Sequence, residues 1–356
     1  MSGIWGNKFK ISIFGESHGA AIGVTIDGLP SGLKINLNNI ENEMERRAPG
    51  RNSISTSRKE SDKFEIISGF FNGYTTGTPL TAIIRNNDKK SKDYLMLSHV
   101  MRPSHGDYSG FLKYNGFNDY RGGGHFSGRI TAPIVLAGAI AKEILRNKGI
   151  EIVSRIKSIK NISDEEIDIC NPPMDKLLLL KNKGLAVLND ENASLMKEEI
   201  LNAKKQGDSV GGVIQCIING LSGGVGEPFF DSLESTIAHL AFSVPAVKGI
   251  EFGRGFDITK FNGSQINDEY YYDGEVVKAS SNNNGGIVGG ITNGMPISFN
   301  VAIKPTASIL KEQNTVDIKE KINTKLAIEG RHDPCIVQRA IPVIEAISAI
   351  AIAELI

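Results

Sequence analysis

The chain has 356 residues, with 40 Lys+Arg against 40 Asp+Glu for a net charge of zero. That length can bury a large core in one or two domains, and the balanced charge argues against a broad nucleic-acid surface while leaving room for a local basic pocket. Cys170, Cys216 and Cys335 have no metal-ligand spacing and are too few for a disulfide framework, which fits reduced, mostly buried thiols in a cytoplasmic protein.

The first six residues, Met1 to Gly6, carry no signal-peptide pattern. Residues 9–14 alternate Phe9, Ile11 and Ile13 with Lys10 and Ser12, which predicts a strand; residues 21–26 predict a second, ended by Asp27-Gly28. Residues 38–47 predict a helix, with Ile40 and Met44 four apart. Residues 63–67 and 80–85 are further strand candidates. Residues 131–148 predict a strong helix, with Pro133 near its start and Gly149 after its end. A helix over 192–205, a strand over 210–218 and a helix from Asp231 toward Phe242 follow, the last with capping-box-like spacing in Asp231-Ser232-Leu233-Glu234. Residues 248–252 and 297–303 predict strands. The apolar stretch 340–356 has Arg339 at its edge and Glu345 and Glu354 within, so it predicts a buried helix over about 341–355 rather than a membrane span. Gly23-Val24 leading to Gly28-Leu29-Pro30-Ser31-Gly32 is echoed by Gly212-Val213 leading to Gly220-Leu221-Ser222-Gly223, which raises an internal duplication at unequal intervals. No linker or low-complexity tract divides the chain, which favours one compact unit over 1–356 mixing helices and sheets.

Three distant motifs carry chemistry: Gly15-Glu16-Ser17-His18-Gly19, Arg102-Pro103-Ser104-His105-Gly106-Asp107, and Gly330-Arg331-His332-Asp333-Pro334. Each joins proton-transfer groups to small or rigid residues in a loop. Histidine exchanges protons near neutral pH, but a lone histidine in a tight turn serves equally to tie down backbone. Arg46 and Arg47 close the first helix. They suit either the helix dipole or an anion such as carboxylate or phosphate. The run Arg121-Gly122-Gly123-Gly124-His125-Phe126-Ser127-Gly128-Arg129 leads directly into the strong helix, so amides at the helix start, a hydroxyl and two arginines suit a phosphate, with a plain glycine-rich turn as the alternative, and it lacks the ending of a P-loop. The loops Ser281 to Gly286 and Lys304-Pro305-Thr306-Ala307-Ser308 are ligand-loop candidates that, taken alone, read as polar turns. His99, His239 and His332 have weaker cases, and His239 lies on a predicted helix. No HExxH or paired-cysteine pattern occurs, so no metal site is expected. Residues 15–19, 207–211 and 220–224 do spell GxSxG, but none joins a predicted strand directly to a helix as a nucleophile elbow requires, so a serine hydrolase is not expected.

Taken together and in order, these motifs resemble the chorismate synthase family. The resemblance also includes Ala246-Val247-Lys248-Gly249-Ile250-Glu251 and Ser281 to Gly290, and it spans nearly the whole chain. It implies an α+β sandwich of central helices between antiparallel sheets, a homotetramer, and conversion of 5-enolpyruvylshikimate 3-phosphate to chorismate with reduced FMN. It further implies that His18 protonates the departing phosphate, that His105 balances charge beside the flavin, and that Asp333 helps move the flavin proton. Arg46, Arg47, Arg129 and Arg331 would hold the anionic substrate. By the same resemblance, the cofactor contacts fall on Arg47, His125, Phe126, Ser127, Pro245, Ala246, Gly289, Lys304, Pro305, Thr306, Ala307, Ser308 and Arg331. Two positions depart from the family pattern: Ala48 stands where some members carry a third consecutive arginine, and His125 where some carry arginine. Some members reduce their flavin with NADPH. No additional domain is visible here, so an external reductant is expected. The competing readings are a phosphatase-like hydrolase using His and Asp, and a flavin- or anion-binding protein without turnover.

Overall fold

The computed structural model describes residues 3–50, 62–86, 96–328, 330 and 332–356. The first antiparallel sheet contains β1 (Ile4–Trp5), β2 (Lys10–Gly15), β3 (Ala21–Asp27), β4 (Phe64–Ser68) and β5 (Leu80–Arg85), in the spatial order β1-β2-β3-β5-β4. The second contains β6 (Glu151–Ile159), β7 (Ile162–Ser163), β8 (Gly212–Asn219), β9 (Val247–Phe252) and β10 (Ile297–Ile303), in the order β9-β10-β8-β6-β7. The helices are α1 (Leu37–Arg47), α2 (Asp107–Tyr114), α3 (Thr131–Arg146), α4 (Met174–Leu179), α5 (Asp190–Lys205), α6 (Leu233–Ser243), α7 (Gly263–Ile266) and α8 (Val337–Leu355). Helices α1, α3, α6 and α8 lie between the sheets, with α3 on the first, α8 on the second, and the two packed on each other. This is the expected α+β sandwich.

The topology repeats. β2, β3, α1, β4, β5 and α3 are followed in the same order by β6, β8, α6, β9, β10 and α8. The core strands of each half pair in one pattern, β2-β3-β5-β4 and β6-β8-β10-β9. Both fourth-position strands carry a register shift against their neighbour, between Ile66 and Ser68 on β4 and between Val247 and Gly249 on β9. The echoed Gly23-Val24 and Gly212-Val213 lie on β3 and β8, which are equivalent strands.

Three local expectations are corrected. β6 was not anticipated from sequence, because Ile152, Val153, Ser154, Arg155 and Ile156 are buried on both faces and leave no alternation to read. Helix α6 is capped by Ser232, whose hydroxyl accepts from the Ser235 N–H at 3.0 Å, so Glu234 falls one residue short of a capping box. Helix α8 starts at Val337 rather than near residue 341. Pro342 falls in its second turn, where it leaves the Gln338 carbonyl without its usual intrahelical donor.

One hydrophobic cluster runs through both halves. Helix α8 is buried almost all round, and it approaches α3 where Gly138 faces Ala346: a Cβ on Gly138 would overlap the Ala346 side chain and backbone. Within this apolar layer sits a polar knot. The Glu345 carboxylate, fully buried on α8, accepts from Arg46 Nη1 (2.6 Å) and Nη2 (2.9 Å), from Lys142 Nζ (2.8 Å) and from the Ser154 N–H (2.9 Å). Glu43 pairs with Arg46 at 2.6 Å and with Lys142 at 3.1 Å. Burial alone would push the Glu345 carboxyl up, but Arg46 and Lys142 hold it well below the usual carboxylate range. Glu345→Ala would leave both cations short of a partner in the core. It should destabilise the fold by about 3–5 kcal/mol, read as a lower urea midpoint at unchanged slope.

Candidate active site

The three motif loops and the chain around Lys304 close into a ring of contacts. His18 follows β2 in a tight turn and lies against Gly122: a Cβ there would overlap the imidazole, and the φ of +60° at Gly122 also disfavours any side chain. The Ser17 N–H donates to Gly124 O at 3.1 Å, and His125 Nδ1 lies 2.8 Å from Gly15 O. Across the glycine loop, Arg102 Nη2 approaches Gly123 while Asp107 clamps its guanidinium at two points, each 2.7 Å. His105 Nε2 lies 2.7 Å from Ser308 Oγ, and Lys304 Nζ donates to Ser104 O at 2.8 Å. Ser209 Oγ donates to Thr306 O at 2.7 Å, and the Val210 N–H to Pro334 O at 2.9 Å. Arg339 pairs with Asp333 and donates from Nε to Arg47 O at 3.1 Å. Arg47 (Nε, 3.1 Å) and Arg129 both pair with the buried Asp62. Arg129 also donates to Asn86 Oδ1 at 3.2 Å, and Asn86 donates to Glu16 O (3.0 Å) and Gly19 O (3.1 Å), back at the His18 turn.

Arg47 and Arg129 both pair with the Asp62 carboxylate, and Lys304 is a further cation whose pKa burial lowers. Burial and the neighbouring Arg102 push the His105 imidazole down to about 4, so it is neutral at physiological pH in the ligand-free site. An anion arriving beside it would favour the protonated form. Asp119 is held below its ordinary pKa chiefly by the hydrogen bond from Arg121, with the nearby His18 adding to the effect.

Not every expected residue joins this ring. His18, His105 and Asp333 are part of it, as are Arg47, Arg129, His125, Lys304, Thr306 and Ser308. Phe126 packs over Gly106 and Gly110 with 41% of its surface exposed, Ser127 caps the turn before Arg129, and Pro305 and Ala307 flank Thr306. Pro245 and Ala246 connect through the Lys304 N–H, which donates to Ala246 O at 2.9 Å. Gly289 sits apart: Gly290 bonds the N-terminus of α6, whereas Pro245 follows that helix's far end, roughly 16 Å away for a helix of this length. Arg46 is turned into the core, its guanidinium donating to Glu43 and Glu345, so the structure gives it an architectural part rather than an anion to hold. Arg331 lies outside the described residues. The glycine loop does not open the strong helix. Gly122, Gly123 and Gly124 adopt positive φ well before its start, and the missing side chains leave room for His18 at Gly122, Arg102 at Gly123 and the Asp119 carbonyl at Gly124. The loop from Ser281 is also structural, since Asn282, Asn283 and Asn284 bond backbone carbonyls and Asp268. His99 pairs with Asp317, and His239 lies on α6 with its ring 6.3 Å from that of Trp5.

Sequence reasoning missed Asp62, Asn86 and Arg339, which join the loops. Asp62 and Asn86 are single polar residues beside predicted strands, with no pattern to mark them. Arg339 stood visible only as the charged edge of an apolar run. Among the described residues, no helix is long and apolar enough to cross a membrane, and no group of three His, Cys, Asp or Glu is placed to hold a metal.

The fold is an α+β sandwich with a repeated topology, and a chain of contacts links the loops that carry His18, His105, Asp333 and several cations. The chorismate synthase family model matches residues 9–356. The chorismate synthase of Dehalococcoides mccartyi strain BAV1 is 44% identical, covering 100% of this chain and 96% of that protein. That of Methanobrevibacter smithii is 44% identical over 99% of this chain and 96% of its own length. A crystal structure of a chorismate synthase matches with a TM-score of 0.77 at 30% identity, over 99% of this chain and 92% of that one. The chain belongs to the chorismate synthase family.

Two outcomes follow from this geometry. Gly122→Ala should displace the His18 ring and lower turnover about 100-fold, measured as kcat against a folded control. The unfolded chain binds a proton at His105 more readily than the native one between pH 6.5 and about 4. Native stability from this group is therefore complete above pH 6.5 and lost as pH falls through that window. The Tm of the ligand-free protein should fall over this range, and His105→Gln should fall less steeply.

Proposed function

We propose that the chain catalyses the 1,4-elimination of phosphate from 5-enolpyruvylshikimate 3-phosphate to give chorismate, with reduced FMN bound. The ring C–O bond to phosphate breaks, a distal ring C–H bond breaks, and a conjugated diene forms with no net redox change. The chain of contacts that links the loops of His18, His105 and Asp333 with Arg47, Arg129 and Lys304 supports this reading. A substrate with a phosphate and two carboxylates needs such a cluster in an otherwise neutral protein.

The residues also fit a flavin. Phe126 offers an exposed apolar face, the space beyond the Gly128 Cα is open, and Lys304 and Ser308 supply a cation and a hydroxyl for a ribityl phosphate. His125, Ser127, Pro245, Ala246 and the run from Lys304 to Ser308 would hold it. When bound, reduced FMN supplies transient electron density that no side chain can offer. His18 donates a proton to the departing phosphate. His105, neutral until an anion approaches, takes up a proton and balances negative charge. Asp333, oriented by Arg339, accepts and returns a proton. Arg47 and Arg129, positioned by Asp62, orient the carboxylates and phosphate. The flavin would be reduced by an external source, and the working assembly would be a homotetramer in the cytoplasm.

An anaerobic assay with photoreduced FMN should convert the phosphorylated enol ether to chorismate, identified by its absorbance and mass. Phosphate release with a merely dephosphorylated substrate would establish a hydrolase instead. His18→Ala should lower kcat by about 10²–10⁴-fold, the usual contribution of a positioned acid. A rate equal to wild type would remove His18 from proton transfer.

A further inference from the structure

Behind the ring, between α1, α8, β6 and the segment following α4, lies a cavity of about 190 Å³. Part of its lining is apolar, from Ile156, Ile159, Leu185 and Ile200. The lining also includes four cations, Arg46, Lys181, Lys183 and Arg339, and among the described residues no Asp or Glu lines the space. Three of these cations already have acidic partners. Arg46 pairs with Glu43 and Glu345, Lys183 with Asp190, and Arg339 with Asp333. Lys181 differs: among the described residues it makes no hydrogen bond and no ion pair within 4.0 Å.

We propose that this cavity is a second ligand site, separate from the catalytic ring, that binds a small aryl carboxylate with its ring on the isoleucine side chains and its carboxylate on Lys181. Size supports that class, since an apolar cavity of about 150 Å³ takes a benzene ring and this one leaves room for a carboxylate. Chemistry supports it too. An ammonium next to apolar surface selects a ligand with both characters and disfavours a bare inorganic anion, which would leave the apolar lining dry and uncovered. Burial lowers the Lys181 pKa, so an anion at the ammonium would relieve an existing penalty. The site also touches the ring. Arg339 lines the cavity, pairs with Asp333 and bonds Arg47 O, so a carboxylate seated here competes for the guanidinium that orients Asp333.

The binding test uses the ligand-free chain titrated with benzoate, benzyl alcohol and inorganic phosphate by calorimetry and ligand-observed NMR. Benzoate should bind, with benzyl alcohol at least tenfold weaker. Lys181→Met should lower benzoate affinity at least tenfold, while His18→Ala leaves it unchanged. Leu185→Phe, which fills the cavity from a half-buried position, should also abolish binding. The proposal is overturned if benzoate does not bind, if Lys181→Met binds it as wild type does, if benzyl alcohol binds equally well, or if phosphate matches benzoate in a Lys181-dependent way. The coupling is read in the chorismate assay and rests on the proposed reaction. Benzoate should inhibit at saturating substrate, and Lys181→Met, with normal basal rate, should be insensitive. Inhibition that persists in Lys181→Met would overturn the coupling without touching the binding result.

Discussion

The structure depends on one buried carboxylate. Glu345 sits in a helix with almost no polar neighbours, so its charge must be met by groups brought from elsewhere in the chain. Arg46 comes from α1, Lys142 from α3 and the Ser154 N–H from β6, so a single side chain fixes the mutual placement of three helices and one strand. That placement extends to the site. Arg47 follows Arg46 and points about 100° around the helix, toward Asp62 and Arg129. Arg339, six residues before Glu345 on α8, reaches Asp333 and the Arg47 carbonyl. The knot that holds the core thus also aims the cations of the ring.

The internal repeat explains how residues so distant in sequence meet. The connections from β5 to α3 and from β10 to α8 occupy equivalent places in the two halves. Because α3 and α8 pack together, those two connections face each other. The first carries His105, Arg102 and the glycine loop; the second carries Lys304, Ser308 and Asp333. Their contacts, His105 with Ser308 and Lys304 with Ser104, join corresponding loops of the two halves. The halves have diverged where chemistry demands it, since only the first retains a short turn between its opening strands, and that turn holds His18.

Electrostatics in the ring rests on shared pairings. Asp62 pairs with both Arg47 and Arg129. Asp107 is fully occupied by Arg102. Burial and that same arginine lower the His105 pKa, so negative charge arriving beside it would favour its protonated form.

The sequence by itself determined the period of most strands and helices, the loop character of the three motifs, and, through their order, the family. Those features are local, because alternation, helical spacing and glycine turns are written in neighbouring residues. It could not show β6, buried on both faces and therefore without alternation, nor divide the labour of Arg46 and Arg47, which look alike in a list of residues. Only the tertiary structure sent one arginine into the core and the other into the site, because the two lie on different faces of one helix. It alone also revealed that Gly122 leaves room for His18 and Gly124 for the Asp119 carbonyl, since a missing side chain has meaning only once the atoms that fill its place are known.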